Sequence, residues 1–450
     1  MTSRPQTHRA AAATAVGLAV AVALAGAPAP AQEAPPPFTG TIGGLQFKDG
    51  VEVPRVATER APFDPTITPR TVAFHEGQVG KNPTGYLELR ELAGAYLARQ
   101  REAGDIADAV RAEAAARRSL ELQRANNSGA AIRLAQALLA QHRFPEALAL
   151  AEVAAKVDPK AERIVVDIRL ELGDYDAATR GLRAITTEPE DLNFLALQAR
   201  FATVRGHNDE SLRLMREAAA IADTRPDMPA EVVAWYHTMV GHHLIDSGHL
   251  DDGVQACEKA LAIFPNDYRA LTGLAEAAAW RADHAGARKW ATAAIKLAPQ
   301  NPEALRLLGE AEAGLGHPEA ASKQFAALQA LAGSFPRIYD RHWANFCLDT
   351  DRDLSAALAL ARADLALRRD AEGHATLAWA CLKNGLLDEA DREMALALAP
   401  GVQEAEMQHH AALIARARGD EARAAAHLAA ARRLSPYLFK GDDAGEPAGR

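Results

Sequence analysis

The chain has 450 residues, 48% of them hydrophobic but only 5% aromatic, and a formal charge of −9. That balance suits closely packed, alanine-rich helices and argues against an aromatic-rich sheet core. An acidic chain without a basic stripe argues against nucleic acid as the main partner, and the pairs Arg117-Arg118, Arg368-Arg369 and Arg432-Arg433 read as solvated helix faces.

Residues 1–31 have the form of a secretory signal. Arg4, His8 and Arg9 give a basic start, residues 10–25 are apolar and uncharged, and Ala29-Pro30-Ala31 offers a cleavage site before Gln32. The expectation is an exported protein, periplasmic or secreted, with a charge of −11 after loss of Arg4 and Arg9 and no membrane span once the signal is cleaved. An uncleaved span is the alternative, disfavoured because the apolar run is short. No cysteine follows the run, so a lipid anchor is not expected, and no twin-arginine pair precedes it.

Residues 32–69 form a Pro/Gly-rich extended arm, with a hairpin expected within residues 42–53 through Lys48-Asp49-Gly50. The arm either swings free or docks on the helices beyond it. A short helix is expected over 71–79, then a longer helix pair over 85–100 and 105–123. Asn126-Asn127-Ser128 matches a glycosylation sequon, a motif common by chance.

From there the sequence repeats. Residues 268–301 read as two short amphipathic helices with a turn between them, too thin to bury their apolar stripes alone. Turn glycines recur at Gly173, Gly206, Gly248, Gly316, Gly385 and Gly419. The step from Gly385 to Gly419 is 34 residues, that from Gly248 to Gly316 is 68, and Pro265 and Pro299 are 34 apart. The longer step from Gly206 to Gly248 contains an insertion at residues 223–230 (DTRPDMPA), suited to a loop between repeats. The units run at about 128–160, 161–189, 190–225, 230–266, 268–301, 302–336, 337–370, 371–403 and 404–436, those at 161–189 and 337–370 being the least regular. Residues 437–450 are expected to be a disordered tail.

This 34-residue period of paired helices resembles the tetratricopeptide repeat over most of residues 83–436. One unit carries Gly241, Gly248, Gly253, Ala260 and Pro265 where the family asks for small residues, a turn glycine and a closing proline. The resemblance implies an all-α, right-handed superhelical solenoid of about ten repeats spanning 70–436, with the first helix of each repeat lining a concave groove. Carried onto this chain, the groove positions are Trp235, His242, Arg269, Glu276, Trp280, Arg306, Glu310, His342, Phe346, Trp379, Lys383, His409 and Arg416. It further implies a non-enzymatic scaffold that binds a protein or peptide of unspecified identity, without a cofactor. Large aromatics beside arginines suit that role; the other reading is that the tryptophans fill space between repeats. The family's clamp for chaperone C-termini is not reproduced, since its positions hold Thr238, Thr272 and Arg306, and His242, Glu276 and Glu310.

Other chemistry has thinner support. His237, His242, His243 and His249 cluster in one repeat, so a metal-handling accessory protein is the alternative function, although the spacings are not those of a helical metal pair. His409-His410 are adjacent and diverge around a helix. Cys257 reads as a small core residue, while Cys347 and Cys381, 34 apart, are candidates for a disulfide. No phosphate loop, nucleophile elbow or paired-carboxylate motif stands out, so an enzyme that uses the N-terminal arm is a third reading without a motif behind it.

Overall fold

The computed structural model describes residues 60–186 and 191–437, together with the backbone of two short strands, β1 (Thr41–Ile42) and β2 (Leu45–Gln46). The signal sequence and most of the C-terminal tail lie outside the described residues. The strands pair antiparallel, Thr41 with Gln46 and Ile42 with Leu45. The turn expected through Lys48-Asp49-Gly50 lies outside the described residues.

Helix α1 (Ile67–Lys81) begins four residues earlier than expected. Pro69 lies in its first turn, where a missing backbone donor costs nothing. Just before it, Arg60 Nη2 donates to the carbonyls of Ala222 (3.1 Å) and Arg225 (3.0 Å), and Phe63 sits edge-on to Phe264 at 4.8 Å. The end of the arm thus docks on the array.

Ten helix pairs follow. Repeat 1 is α2 (Tyr86–Ala103) and α3 (Ile106–Leu122); repeat 2 is α4 (Ser128–Ala140) and α5 (Phe144–Ala155). Repeat 3 is α6 (Glu162–Glu171) and α7 (Tyr175–Ala184); repeat 4 is α8 (Leu192–Val204) and α9 (Asn208–Asp223). Repeat 5 is α10 (Ala230–Asp246) and α11 (Leu250–Ile263); repeat 6 is α12 (Tyr268–Trp280) and α13 (His284–Leu297). Repeat 7 is α14 (Pro302–Gly314) and α15 (Pro318–Ser334); repeat 8 is α16 (Asp340–Asp349) and α17 (Leu354–Leu367). Repeat 9 is α18 (Ala371–Lys383) and α19 (Leu387–Leu398); repeat 10 is α20 (Ala405–Ala417) and α21 (Glu421–Leu434). The two repeats that read as least regular contain the three ten-residue helices, α6, α7 and α16.

Burial separates two layers. Every residue of α12 from Ala270 to Trp280 is buried, against only Ala287, Ala291 and Ala294 of its partner α13. The same contrast holds for α10 and α11. First helices therefore form the inner layer and second helices the outer one. Alanine and glycine permit the close approach: a Cβ on Gly241 would lie 2.5 Å from Cys257 Sγ, and one on Gly309 would lie 2.2 Å from the Phe325 ring. Cys257 is fully buried there, as its repeat position indicated.

A second device fixes the inter-repeat angle. Asp267, Asn301 and Asp370 cap α12, α14 and α18 by accepting backbone N–H bonds of the first turn. Each cap is also held by the preceding first helix at a constant offset. Thr238 Oγ1 donates to Asp267 (2.7 Å), Asn301 Nδ2 donates to Thr272 Oγ1 (2.8 Å), and Arg341 Nη1 donates to Asp370 (2.8 Å), each pair 29 residues apart.

All six turn glycines named from the sequence adopt positive φ, from 73° to 80°. In repeats 2 and 6 the same slot is taken by His142 (φ 55°) and Ala282 (φ 58°), which L-residues adopt at a cost. Ala282 is exposed, so Ala282→Gly is expected to raise stability by about 1 kcal/mol, read by urea unfolding.

The repeats do not trace an open arc. Five consecutive intra-repeat turns meet a segment far along the chain, an inter-repeat loop in four cases and the residues after α21 in the fifth. At the repeat 1 turn, Ile106 N donates to Gln300 Oε1 (3.3 Å), across 194 residues. At repeat 2, His142 Nδ1 bonds the Arg337 carbonyl (3.3 Å), across 195. At repeat 3, Arg369 N donates to the Leu172 carbonyl (3.1 Å) and Ala371 N to Tyr175 Oη (2.7 Å). At repeat 4, Asn208 Nδ2 donates to the Gln403 carbonyl (2.9 Å). At repeat 5, Gly248 lies against Pro436. Successive turns of the superhelix are thus in direct contact, and one circuit takes between five and six repeats.

Candidate functional site

Contact between turns walls in the interior. A cavity of about 230 Å³ lies where repeats 1 to 3 face repeats 5 to 8. Its apolar wall includes Leu97, Ile106, Leu139, Phe144, Trp235 and Ile338; its polar wall includes Gln100, Arg101, His142, Arg269, Gln300 and His342. Of the residues predicted for the groove, Trp235, His242, Arg269 and His342 come together here.

His242 Nε2 donates to the Arg269 carbonyl (3.0 Å), and its Nδ1 lies 3.9 Å from Glu276. Arg269 bonds Asp267 (3.1 Å) and Glu231 (3.3 Å). His342 Nδ1 is buried without a hydrogen-bond partner. Burial, reinforced by Arg368 and Arg341, pushes the His342 imidazole down to about 4. Burial, then Arg368 and His342, holds His142 well below the usual histidine range, and burial lowers His242. All three rings are neutral at neutral pH.

Glu276, Arg306 and Glu310 adjoin the cavity. Arg306 bonds Glu303, itself a cavity residue, and Glu310 (2.6 Å). Glu276 is driven well above the usual carboxylate range by burial, with Asp246 and Glu303 adding to it. Further along the interior, burial and the Glu372 charge raise Glu404 to about 8. A carboxyl raised in the folded state contributes stability fully present below its ordinary value near 4 and lost as pH rises through about 8. Glu404→Gln is therefore expected to flatten the fall in Tm between pH 5 and pH 9, leaving Tm at the acid end unchanged; melting curves across that range check it.

Three aromatic positions assigned to the groove lie in the packed layer instead. Trp280 (9% exposed) joins Ile245, Phe264 and Leu274; Phe346 (1%) and Trp379 (4%) share a cluster with Cys347 and Cys381. In an alanine-rich array the volume between helices must be filled by a few large rings, and these supply it. Trp379 also donates to Asp349 (3.1 Å) and stacks on His410 at 4.0 Å. Lys383 bonds Asp351 (2.7 Å), His409 lies beside His410, and Arg416 is exposed near Glu421 (3.8 Å). None of these lines the cavity.

The histidines of repeat 5 do not converge. His237 bonds Asp223 (2.9 Å), His243 bonds the Asn208 carbonyl (2.9 Å), and His249 starts the next helix. Among the described residues no group of three His, Cys, Asp or Glu is placed to hold a metal. Cys347 and Cys381 are both free and buried, not joined, and burial raises both thiols to about 12. The wall supplied by repeats 1 and 2 went unforeseen, because its only signal is contact between residues nearly 200 positions apart.

Paired helices at a 34-residue period, small residues at the crossings and an inner layer of first helices define an all-α solenoid of tetratricopeptide type. No family model and no curated protein matches the chain. Among solved structures, it is similar to human IFIT1, described as a dimer with PPP-AAAA, at 14% identity, covering 84% of this chain and 96% of that one with a TM-score of 0.44. It is also similar to yeast Tom70 (13% identity, 82% and 88% covered, TM-score 0.35) and to Cut9 in the APC/C Cut9–Hcn1 hetero-tetramer (15%, 82% and 90%, 0.34).

Proposed function

We propose that this chain is a non-enzymatic binding scaffold that holds a protein or peptide segment inside its superhelix. The observation that carries this is the cavity, where an apolar wall with Trp235 meets polar groups of several repeats on the inner face. Ligand sites typically pair an apolar surface with a few placed polar groups, and this cavity has that form. The buried cysteines, with thiols raised by burial, support a role without nucleophilic catalysis. The N-terminal sequence supports action after export, and the acidic composition supports a partner other than nucleic acid.

A photo-crosslinking residue at Met239, on the cavity wall, is the test, with one at Leu396, half exposed on the outer helix α19, as its counterpart. The proposal expects a protein or peptide adduct from position 239 and none from 396. Adducts from 396 alone would move binding to the outer face and overturn it. Export is tested by the N-terminus of the protein recovered from the cell envelope: Gln32 is expected, and Met1 would refute cleavage.

A further inference from the structure

The cavity has a bias that peptide binding in general does not explain. Its carboxylates are already engaged: Glu303 by Arg306, and Glu171 by Arg200. Among the residues that line it, the unfilled hydrogen-bonding capacity lies on nitrogen. Arg101 Nε is buried with no hydrogen-bond partner, the nearest carboxylate being Glu231 at 3.6 Å. His342 Nδ1 is likewise unpartnered, and it donates in the tautomer that carries its proton there. One layer back, Arg368 is 2% exposed, not on a solvated helix face as its pairing with Arg369 suggested, because Asp364 draws its Nε inward (3.0 Å); both its Nη atoms lack a hydrogen-bond partner. Its guanidinium lies 5.5 Å over the Phe144 ring and 3.6 Å from Glu171, both cavity residues.

Buried donors without acceptors are costly, and a ligand that supplies acceptors removes the cost. The cavity volume exceeds the roughly 150 Å³ in which an apolar protein cavity accepts benzene. Its walls come from both superhelical turns, so an occupant that touches both binds the closed form better than an opened one and shifts the population toward closure.

We propose that this cavity binds a small organic acid, an apolar body bearing one carboxylate, and that the bound acid staples the two superhelical turns together. The inference deepens the binding role proposed above and rests on it. The acid is either a free small molecule or the terminal carboxylate of a chain that ends in an apolar residue; the recognition chemistry is shared.

Calorimetric titration of the full chain with 4-phenylbutyrate and 4-phenylbutyramide is the test, alongside the peptide Gly-Gly-Phe and its C-terminal amide. Each acid is expected to bind at least about tenfold tighter than its amide, because only the carboxylate adds ion–ion attraction to the guanidinium's hydrogen bond. Arg101→Gln is expected to erase that preference. In hydrogen exchange, saturating acid is expected to slow the amides of residues 104–106 and 298–301, on the two sides of the seam. Equal affinity for acid and amide, no binding of either acid, a preference that survives Arg101→Gln, or unchanged seam exchange would each overturn the proposal. The tighter of the two acids identifies the source. Adducts from position 239 together with equal acid and amide affinities would leave the scaffold standing and remove this inference; acid binding without adducts would do the reverse.

Discussion

Gly206→Ala is expected to cost about 3 kcal/mol, whereas Gly316→Ala should cost about 1 kcal/mol. Both glycines hold the left-handed turn between the helices of a repeat, with φ of 73° and 80°. Both substitutions therefore incur the same backbone strain, on the order of 1 kcal/mol. They differ in surroundings. A Cβ on Gly206 would lie 2.1 Å from the Gly401 carbonyl oxygen, whereas one on Gly316 meets nothing within 4 Å. The excess of about 2 kcal/mol is the cost of separating packed backbone at the seam. Gly173, whose added Cβ would fall 2.0 Å from the Arg369 carbonyl, should behave like Gly206, and Gly385 and Gly419 like Gly316. Urea unfolding measures the difference, and small-angle scattering should show expansion for Gly206→Ala only. Equal costs for the two groups would mean that the seam contributes nothing.

The second large effect is expected at Arg341. Its side chain is 2% exposed and reaches three carboxylates, Asp364 (2.5 Å), Asp370 (2.7 Å) and Glu372 (2.9 Å). Asp370 also caps α18, and the adjoining loop bonds repeat 3 through Arg369 and Ala371. Arg341→Met keeps most of the volume and leaves buried carboxylates uncompensated, at an expected cost of about 3–5 kcal/mol. The pH dependence identifies the cause. Against the opposing effect of burial, Arg341 heads the influences that hold Asp370 below its ordinary value. That stability is present above the ordinary carboxylate pKa near 4 and is lost as pH falls through the lower, folded value. In Arg341→Met the raising effect of burial is less opposed and the carboxyl takes up its proton above pH 4, so the gap between the two proteins should narrow as pH falls from 7 toward 4. A gap independent of pH would assign the loss to packing.

How far the sequence could be read depends on the range of each interaction. The 34-residue period and the turn glycines are local, and Gly173 through Gly419 sit where the pattern put them. The insertion at residues 223–230 separates α9 from α10, where packing between neighbouring first helices is weakest. Trp280 and Trp379 could not be resolved in this way. An inner helix has a face toward the cavity and a face toward its neighbours, and a repeat position alone does not separate them when the turns are stacked. The seam itself is invisible locally, since Asn208 and Gln403 are ordinary loop-edge residues until the array has closed on itself. The part of the cavity wall from Leu97 to Phe144 was hidden for the same reason.

The central claim is that successive superhelical turns touch and so create the interior site. Spin labels at Asn208→Cys and Gln403→Cys test it most directly, with the buried Cys257, Cys347 and Cys381 left in place. Pulsed dipolar spectroscopy should give one short, narrow distance distribution, which broadens and lengthens when Gly206→Ala is added. A long, broad distribution in the otherwise unaltered chain would mean an open array, and the cavity and everything inferred from it would fall.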